Sequence, residues 1–541
     1  MSKSFREALK ERVLFLDGAM GTQIHAANLD LERDFLGLEN CSEAINLTRP
    51  DVIGGIHERY FAAGCDVVET NTFGGMAHVL AEFGLEARTR EINAIAARTA
   101  RAAADKYSTD ERPRYVLGSM GPGTKLATLG HTDYDTLKRS YYEQALGLID
   151  GGVDGFLIET CQDPLQIKAA LAAVEKAQKE LGVDLAIVVS VTMEVTGTML
   201  VGAEMAAAIA LLDPYKIDML GINCATGPRE MGEHVRLLGQ TCRKPICVYP
   251  NAGLPLLVDG RPHYPLGPAE LADWLARFVD EDGVGMVGGC CGTTPEHLAA
   301  VVRRIGMRKP APRKPSFSPA VSSIYSAVPL VQENSVLYVG ERSNANGSKA
   351  FREHLLAGNV DAQVEMGREQ VRDGSHVLDL CCAYVGRNEV EDMTKAVRRY
   401  RTEVPAPLVI DSTEPPVIEA ALKLCGGRSI INSINLEEGP ARAEEVLRIA
   451  KEHGAAVIAL TIDEKGMAKT AEDKIRIARR LHRMCVEDFG LRPEDLLFDV
   501  LTFTIATGND DDRRLGLETL EGIRRVRDEL PGVGTLLGVS N

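Results

Sequence analysis

Fifteen short apolar runs, almost all followed by enough chain for a helix, constrain the fold of this sequence more than any other feature. The first eight span 13–21, 66–74, 115–122, 155–161, 186–192, 218–227, 246–253 and 285–293. Short β-rich runs separated by helical patterns make βα units and a parallel sheet. Eight such units suit a closed (β/α)8 barrel. The alternation restarts at 336–344 and continues through 376–382, 407–413, 429–435, 455–463, 496–502 and 535–541. That is seven runs, and a barrel needs eight. The expected fold is therefore α/β, with two (β/α)8 TIM-type barrels in tandem and the second truncated at its seventh strand.

Residues 308–335 interrupt the pattern with five prolines and several serines. They read as a semi-rigid linker. The expected domains are thus 1–307, the linker 308–335, and 336–541. Thr294-Pro295 reads as an N-cap followed by proline at the first helical position, opening the last helix of the first barrel. With 541 residues, 45% hydrophobic and 26% charged, both halves can bury sizeable cores. A net charge of -16 repels phosphate backbones and anionic membranes, so neither nucleic acid nor membrane is an expected partner. The N-terminus lacks a signal-peptide apolar region, and no stretch approaches the roughly 18 apolar residues of a membrane span. The expected location is cytoplasmic. The GxGxxG match at 283–288 runs into a strand instead of following one, so it lacks the context of a dinucleotide fingerprint.

The reactive residues sit at the C-terminal ends of the strand runs, which is the active-site face of a barrel. Cys224 ends the sixth run, and Cys290 and Cys291 end the eighth. Both ends open onto one mouth. Three thiolates converging there suit zinc, which binds sulfur at about 2.3 Å and keeps a fourth position open in catalytic sites. Buried structural cysteines are the simpler reading of a vicinal pair alone. The Gly-Gly-Cys-Cys-Gly-Thr context and the upstream Asn-Cys favour metal, because adjacent cysteines share one ion only if the backbone bends sharply.

The motifs LDGAMGT (16–22), ETNTF (69–73), IETC (158–161), GINCATGP (221–228) and GGCCGTTP (288–295) occur in this order. In them the first barrel resembles the homocysteine methyltransferase family. The resemblance implies zinc on Cys224, Cys290 and Cys291. It implies that Asp17 and Glu159 receive the homocysteine amino group, and that backbone amides of the loop Gly18, Ala19, Met20 and Gly21 meet its carboxylate. Asn71 and Asn223 would shape the pocket. A free thiol, with a pKa of roughly 8.5, is mostly protonated at neutral pH. Binding to zinc deprotonates it.

The second set of strand ends carries Glu341, Asn344, Asp379, Asp411, Asn432, Asp499 and Asn541. Carboxylates and amides around one mouth suit a neutral heterocycle rich in N–H groups and carbonyls. In GERSNANGSKAF (340–351), VIDST (409–413) and INSIN (431–435) this half resembles the pterin-binding barrels, which include dihydropteroate synthase and methyltetrahydrofolate methyltransferases. The resemblance implies that Asp411, Asn432, Asp499 and Asn541 bind the pterin, with Glu341 and Asn344 nearby. One departure is Cys381, where the family usually carries asparagine two positions after the Asp379 equivalent. Cys381-Cys382 reads as core packing rather than metal. Removing a methyl from folate N5 calls for protonation of that nitrogen, and no histidine stands at these strand ends to supply it.

The order of the two modules resembles the front of the cobalamin-dependent methionine synthase family. That resemblance implies methyl transfer from 5-methyltetrahydrofolate to cob(I)alamin, and from methylcobalamin to zinc-bound homocysteine. No Asp-x-His-x-x-Gly cobalamin-ligand motif occurs here. The cobalamin module is therefore expected C-terminal to residue 541 or in trans, travelling between the two mouths. The alternatives are a cobalamin-independent homocysteine S-methyltransferase fused to a folate-binding module, and a non-catalytic zinc or folate-binding protein.

Overall fold

The computed structural model describes residues 3–258, 261–504 and 513–539; Asn541, expected among the folate ligands, lies outside them. The chain divides into two compact units, one formed mainly by residues up to Phe317 and the other mainly by those from Ser318 onward.

The first unit holds eight parallel strands: β1 (Leu14–Phe15), β2 (Val67–Glu69), β3 (Tyr115–Met120), β4 (Gly155–Cys161), β5 (Ala186–Val191), β6 (Met219–Asn223), β7 (Ile246–Tyr249) and β8 (Met286–Val287). Neighbours in sequence pair in register, β1 pairs with β8, and a bridge from Leu16 to Val67 joins β1 to β2. The ring is nearly closed, with the eight strands that the eight apolar runs imply. Every residue of β3 and β5 is buried, because helices cover one face and the barrel interior the other.

The helices between the strands start and stop on local signals. Asp133 caps Tyr134–Gly151 by accepting the Thr136 N–H at 2.8 Å, and left-handed Gly152 ends it. Asp163 caps Pro164–Leu181, which opens with proline and closes on Gly182. Thr294 caps Pro295–Ile305 as its sequence implies, sharing a capping box with His297.

The inner face of the barrel alternates along each strand and includes Leu117, Leu157, Val188, Met219 and Met286. The N-terminal helix Phe5–Glu11 belongs to the same cluster through Phe5 and Ala8. Phe5 meets Tyr115 edge-on at 5.7 Å, and Arg6 Nε donates to Asp218 Oδ1 at 2.7 Å. This helix plugs the N-terminal end of the barrel, away from the strand ends that carry the cysteines.

The second unit holds β9 (Val339–Gly340), β10 (Val377–Leu380), β11 (Leu408–Asp411), β12 (Ile430–Ile434), β13 (Ala456–Leu460), β14 (Leu496–Asp499) and β15 (Gly534–Leu536). They pair in parallel in chain order, forming a seven-stranded half-barrel that matches the seven predicted runs. Within the segment read as linker, Ala320–Ser322 and Ala327–Pro329 form an antiparallel hairpin. Val321 of this hairpin packs with Val377, Val409, Ile430, Ala456 and Leu497, one residue from each of five strands. A hairpin here does what the N-terminal helix does in the first unit. Among the described residues, no helix is long and apolar enough to cross a membrane.

Candidate functional site

In the first barrel the three cysteines arrive from two strands. Cys224 directly follows β6, and it and Ala225 both hold left-handed backbone, with φ of 59° and 52°. Such conformations cost non-glycine residues about 1–3 kcal/mol each, so the surrounding barrel must impose this turn. Cys290 and Cys291 leave β8 through two glycines. A Cβ on Gly289 would stand 2.3 Å from Thr293 Oγ1, and one on Gly292, at φ 79°, 2.3 Å from the Tyr264 ring. The bend is pinned to the exit of β7: the Cys290 N–H donates to the Pro250 carbonyl at 2.8 Å, and the Cys291 N–H to Asn251 Oδ1 at 3.1 Å.

The outcome is a half-buried cluster in which the three sulfurs all lie within 4.8 Å of one another. Cys224 and Cys291 are 4.0 Å apart. Thiolates on one tetrahedral zinc, at about 2.3 Å from it, sit about 3.8 Å from each other. The donor set fits that ion, and three protein ligands leave a fourth position for another sulfur. Hydrogen bonds from Cys224, Cys290 and Tyr264 hold the Cys291 thiol down to about 3. Cys290 is pushed up by its hydrogen bonds to Cys224 and Cys291 and by burial.

Beside the sulfurs stand three carboxyl groups: Asp17 after β1, Glu69 at the end of β2 and Glu159 near the end of β4. Asp17 and Glu159 are only 1% and 3% exposed. Asp17 accepts the Glu69 N–H at 3.2 Å, Glu159 accepts the Ser119 hydroxyl at 2.5 Å, and the Glu69 and Glu159 carboxyls hydrogen-bond each other. Burial pushes all three up, Glu159 to about 7 and the other two well above the usual carboxylate range; the charge of Glu159 adds to this at Asp17 and Glu69. An ammonium group placed among them would relieve that strain by restoring the charged forms.

The other expected residues have separate tasks. Asn223 is fully buried; its Oδ1 accepts from the Thr160 N–H at 3.0 Å and the Ser190 hydroxyl at 2.7 Å, and its amide points to Cys290 Sγ at 4.0 Å. It ties β4, β5 and β6 together at the sulfur cluster. Asn71 turns elsewhere: its amide donates to the Ser42 carbonyl at 2.9 Å and to Asn46 Oδ1 at 3.2 Å, tying the end of β2 to the short helices Ser42–Ala44 and Ile45–Thr48. The Gly18–Gly21 loop runs into the helix Met20–Ala26, whose leading amides have no carbonyl ahead of them in the helix. The Ala19 N–H is taken by Thr293 Oγ1 at 3.2 Å.

Three contributors escape the sequence reading. Glu69 stands inside ETNTF and ends β2 just as Asp17 follows β1, a signal that was present. Asn251 closes the seventh run, where its role depends on the Cys291 amide. Tyr264 follows a hairpin and touches the cluster only because Gly292 lets it approach, and nothing local in sequence marks that.

In the second unit Asn344 stands between two carboxyls, its Nδ2 donating to Asp379 Oδ2 at 2.9 Å and to Asp411 Oδ2 at 3.0 Å. Burial pushes Asp379 up to about 6 and Asp411 to about 7, with Glu341 adding to the first and Asp379 to the second. Oδ1 of Asp379 is buried without a close partner, and the Asn432 side chain also bears on this carboxyl, drawing its pKa down against the effect of burial. Asn432 is the register neighbour of Asp411 on β12. Asp499 ends β14 and accepts the Leu501 N–H at 2.8 Å and the Gly538 N–H at 3.3 Å. Glu341 is exposed at the rim. Of the vicinal cysteines, Cys382 is in the core, whereas Cys381 faces the site: the Asn346 amide reaches its sulfur at 3.7 Å, and it hydrogen-bonds Asp411.

Comparison with known proteins follows the same division. A family model described as homocysteine S-methyltransferase matches residues 14–305, and one described as pterin binding enzyme matches 340–541. Methionine synthase of Mycobacterium tuberculosis is 48% identical over 538 residues, covering 99% of this chain and 45% of that protein. Methionine synthase of Mycobacterium leprae is 48% identical over 543 residues, with the same coverage of 99% and 45%. The chain therefore spans a little under half the length of these relatives. Among solved structures, the metallated form of the homocysteine methyltransferase MmuM from Escherichia coli aligns with 55% of this chain and 97% of its own, at 24% identity and a TM-score of 0.45.

Proposed function

The chain belongs to the homocysteine S-methyltransferase family, and on that premise we propose that its two barrels carry the two substrate sites of a methionine synthase. Homocysteine would be the methyl acceptor in the first barrel and 5-methyltetrahydrofolate the donor in the second. Cobalamin, bound outside these residues, would carry the methyl between them.

The observation that carries this reading is the pairing of a three-sulfur cluster with three buried carboxyls in one mouth. Homocysteine is a thiol with an ammonium at the other end, and the mouth offers a place for each. Cys224, Cys290 and Cys291 would hold zinc, which supplies the positive charge that keeps the substrate sulfur a thiolate at neutral pH. Asp17 and Glu159 would receive the ammonium. Amides of Gly18, Met20 and Gly21 would meet the carboxylate, that of Ala19 being already committed to Thr293, Asn223 would keep Cys290 in place, and Asn71 would anchor the end of β2 through Ser42 and Asn46. Two of the three carboxyls are more buried than the sulfurs, so the amino-acid end would enter first and the sulfur would face outward.

In the second barrel Asp379, Asp411 and Asp499 would accept pterin N–H groups, with Asn344 and Asn432 completing the ring and Glu341 at its edge. Asp379 and Asp411, with raised pKa values and a shared amide, would carry a proton near neutrality without a histidine.

The test is zinc content together with methyl transfer from free methylcobalamin to homocysteine. One zinc per chain and zinc-dependent methionine formation support the reading. Reduced protein that binds no zinc, or transfers methyl equally well without it, overturns it.

A further inference from the structure

Lys474 has no part in the reaction as described, yet it is fully buried on the helix Ala471–Arg483. Its ammonium converges on three main-chain carbonyls, those of Ala468 at 3.0 Å, Leu501 at 3.1 Å, and Val500. The Phe503 ring lies 5.2 Å from the same nitrogen. The stem runs past Gly522, where a Cβ would stand 2.8 Å from Lys474 Cδ, so the facing helix leaves room for it. A buried lysine needs compensation for its lost hydration, and here the carbonyl of Ala468 and those of Val500 and Leu501, in the turn after β14, provide it.

That turn is unusual at one residue. Leu501 holds φ 63°, a left-handed conformation that a branched side chain rarely adopts. Its N–H donates to Asp499 Oδ1 at 2.8 Å. Its carbonyl accepts both Lys474 Nζ and, at 3.0 Å, Thr519 Oγ1. Leu501 therefore takes hold of Asp499 on one side and is held by Lys474 on the other.

We propose that Lys474 is a positioning residue for the pterin site: it clamps Leu501 in left-handed backbone so that the Leu501 amide orients the Asp499 carboxylate. This rests on the reading of Asp499 as a pterin contact.

The experiment measures 5-methyltetrahydrofolate affinity by equilibrium dialysis in the full chain, for Lys474→Met, Asp499→Asn and Lys474→Met combined with Leu501→Gly. Methyl transfer from methylcobalamin to homocysteine is the control, and it should not change. Lys474→Met is expected to weaken folate binding about tenfold, the worth of one well-placed hydrogen bond. Adding Leu501→Gly is expected to restore most of that loss, since glycine holds the turn unaided; loss of packing alone would not be rescued this way. If Asp499→Asn weakens binding and Lys474→Met does not, the clamp is wrong and the pterin assignment stands. If Asp499→Asn itself has no effect, the assignment of Asp499 falls, and the clamp with it. Should Lys474→Met alone not fold, the double variant with Leu501→Gly still reads the clamp: folate affinity near wild type supports it, and a loss of tenfold or more overturns it.

Discussion

A carboxyl proposed to hold a substrate ammonium can work against the fold around it, and Glu159 is the case. Its carboxyl is pushed from the usual range to about 7, chiefly by burial. The native state therefore binds more protons than the unfolded state between about pH 4.5 and 7, and stability falls as pH rises through that window. Glu159→Gln should raise the melting temperature at pH 8 while raising the KM for homocysteine at least tenfold, because the neutral amide cannot pair with an ammonium. Thermal melts and steady-state kinetics on one preparation check both signs. Wild-type homocysteine affinity should itself decline below about pH 7, as Glu159 takes up its proton. In the second mouth, Asp411→Asn should weaken 5-methyltetrahydrofolate binding about tenfold, roughly one charge-assisted hydrogen bond, and leave zinc content unchanged. Residues that end strands were legible in advance, Cys224, Asp17 and Asp411 among them, because a barrel sends strand ends to one face. Asn71 occupies such a position too, but its amide is used by Ser42 and Asn46, a contact across the chain that no local pattern encodes. Cys381 was obscured by its neighbour: the pair reads as core, yet the pleat sends Cys382 inward and Cys381 toward Asp411.

At the scale of elements, strand order and count followed from the alternation of apolar runs and helices, and the caps at Asp133, Asp163 and Thr294 from residue chemistry. The closures at the N-terminal ends of the barrels were not legible. The helix Phe5–Glu11 lacks a motif, and its role rests on Phe5 meeting Tyr115, more than a hundred residues away. Likewise, prolines and serines in 308–335 gave no sign that Val321 would pack beneath five strands. Phe5→Ala should destabilise the first unit by about 3–5 kcal/mol, seen as an earlier melting transition, while zinc stoichiometry at 20 °C stays at the wild-type value.

For the molecule as a whole, two sites built from separate sets of strands should fail separately. Cys224→Ala should abolish stoichiometric zinc and methionine formation, yet bind 5-methyltetrahydrofolate with wild-type affinity; zinc retained one per chain would refute the ligand assignment. Chelation of the wild-type protein should reproduce that pattern, and added zinc should reverse it. The plugs beneath the barrels also impose a schedule. A vessel sealed at its base has one doorway, so everything that enters must queue. If homocysteine sits as proposed, with its amino end against the buried carboxyls Asp17 and Glu159, it would have to be in place before a methyl carrier covers the opening, and methionine could not leave until that carrier withdraws. Turnover should accordingly be ordered, and excess carrier should inhibit by trapping whatever stands behind it.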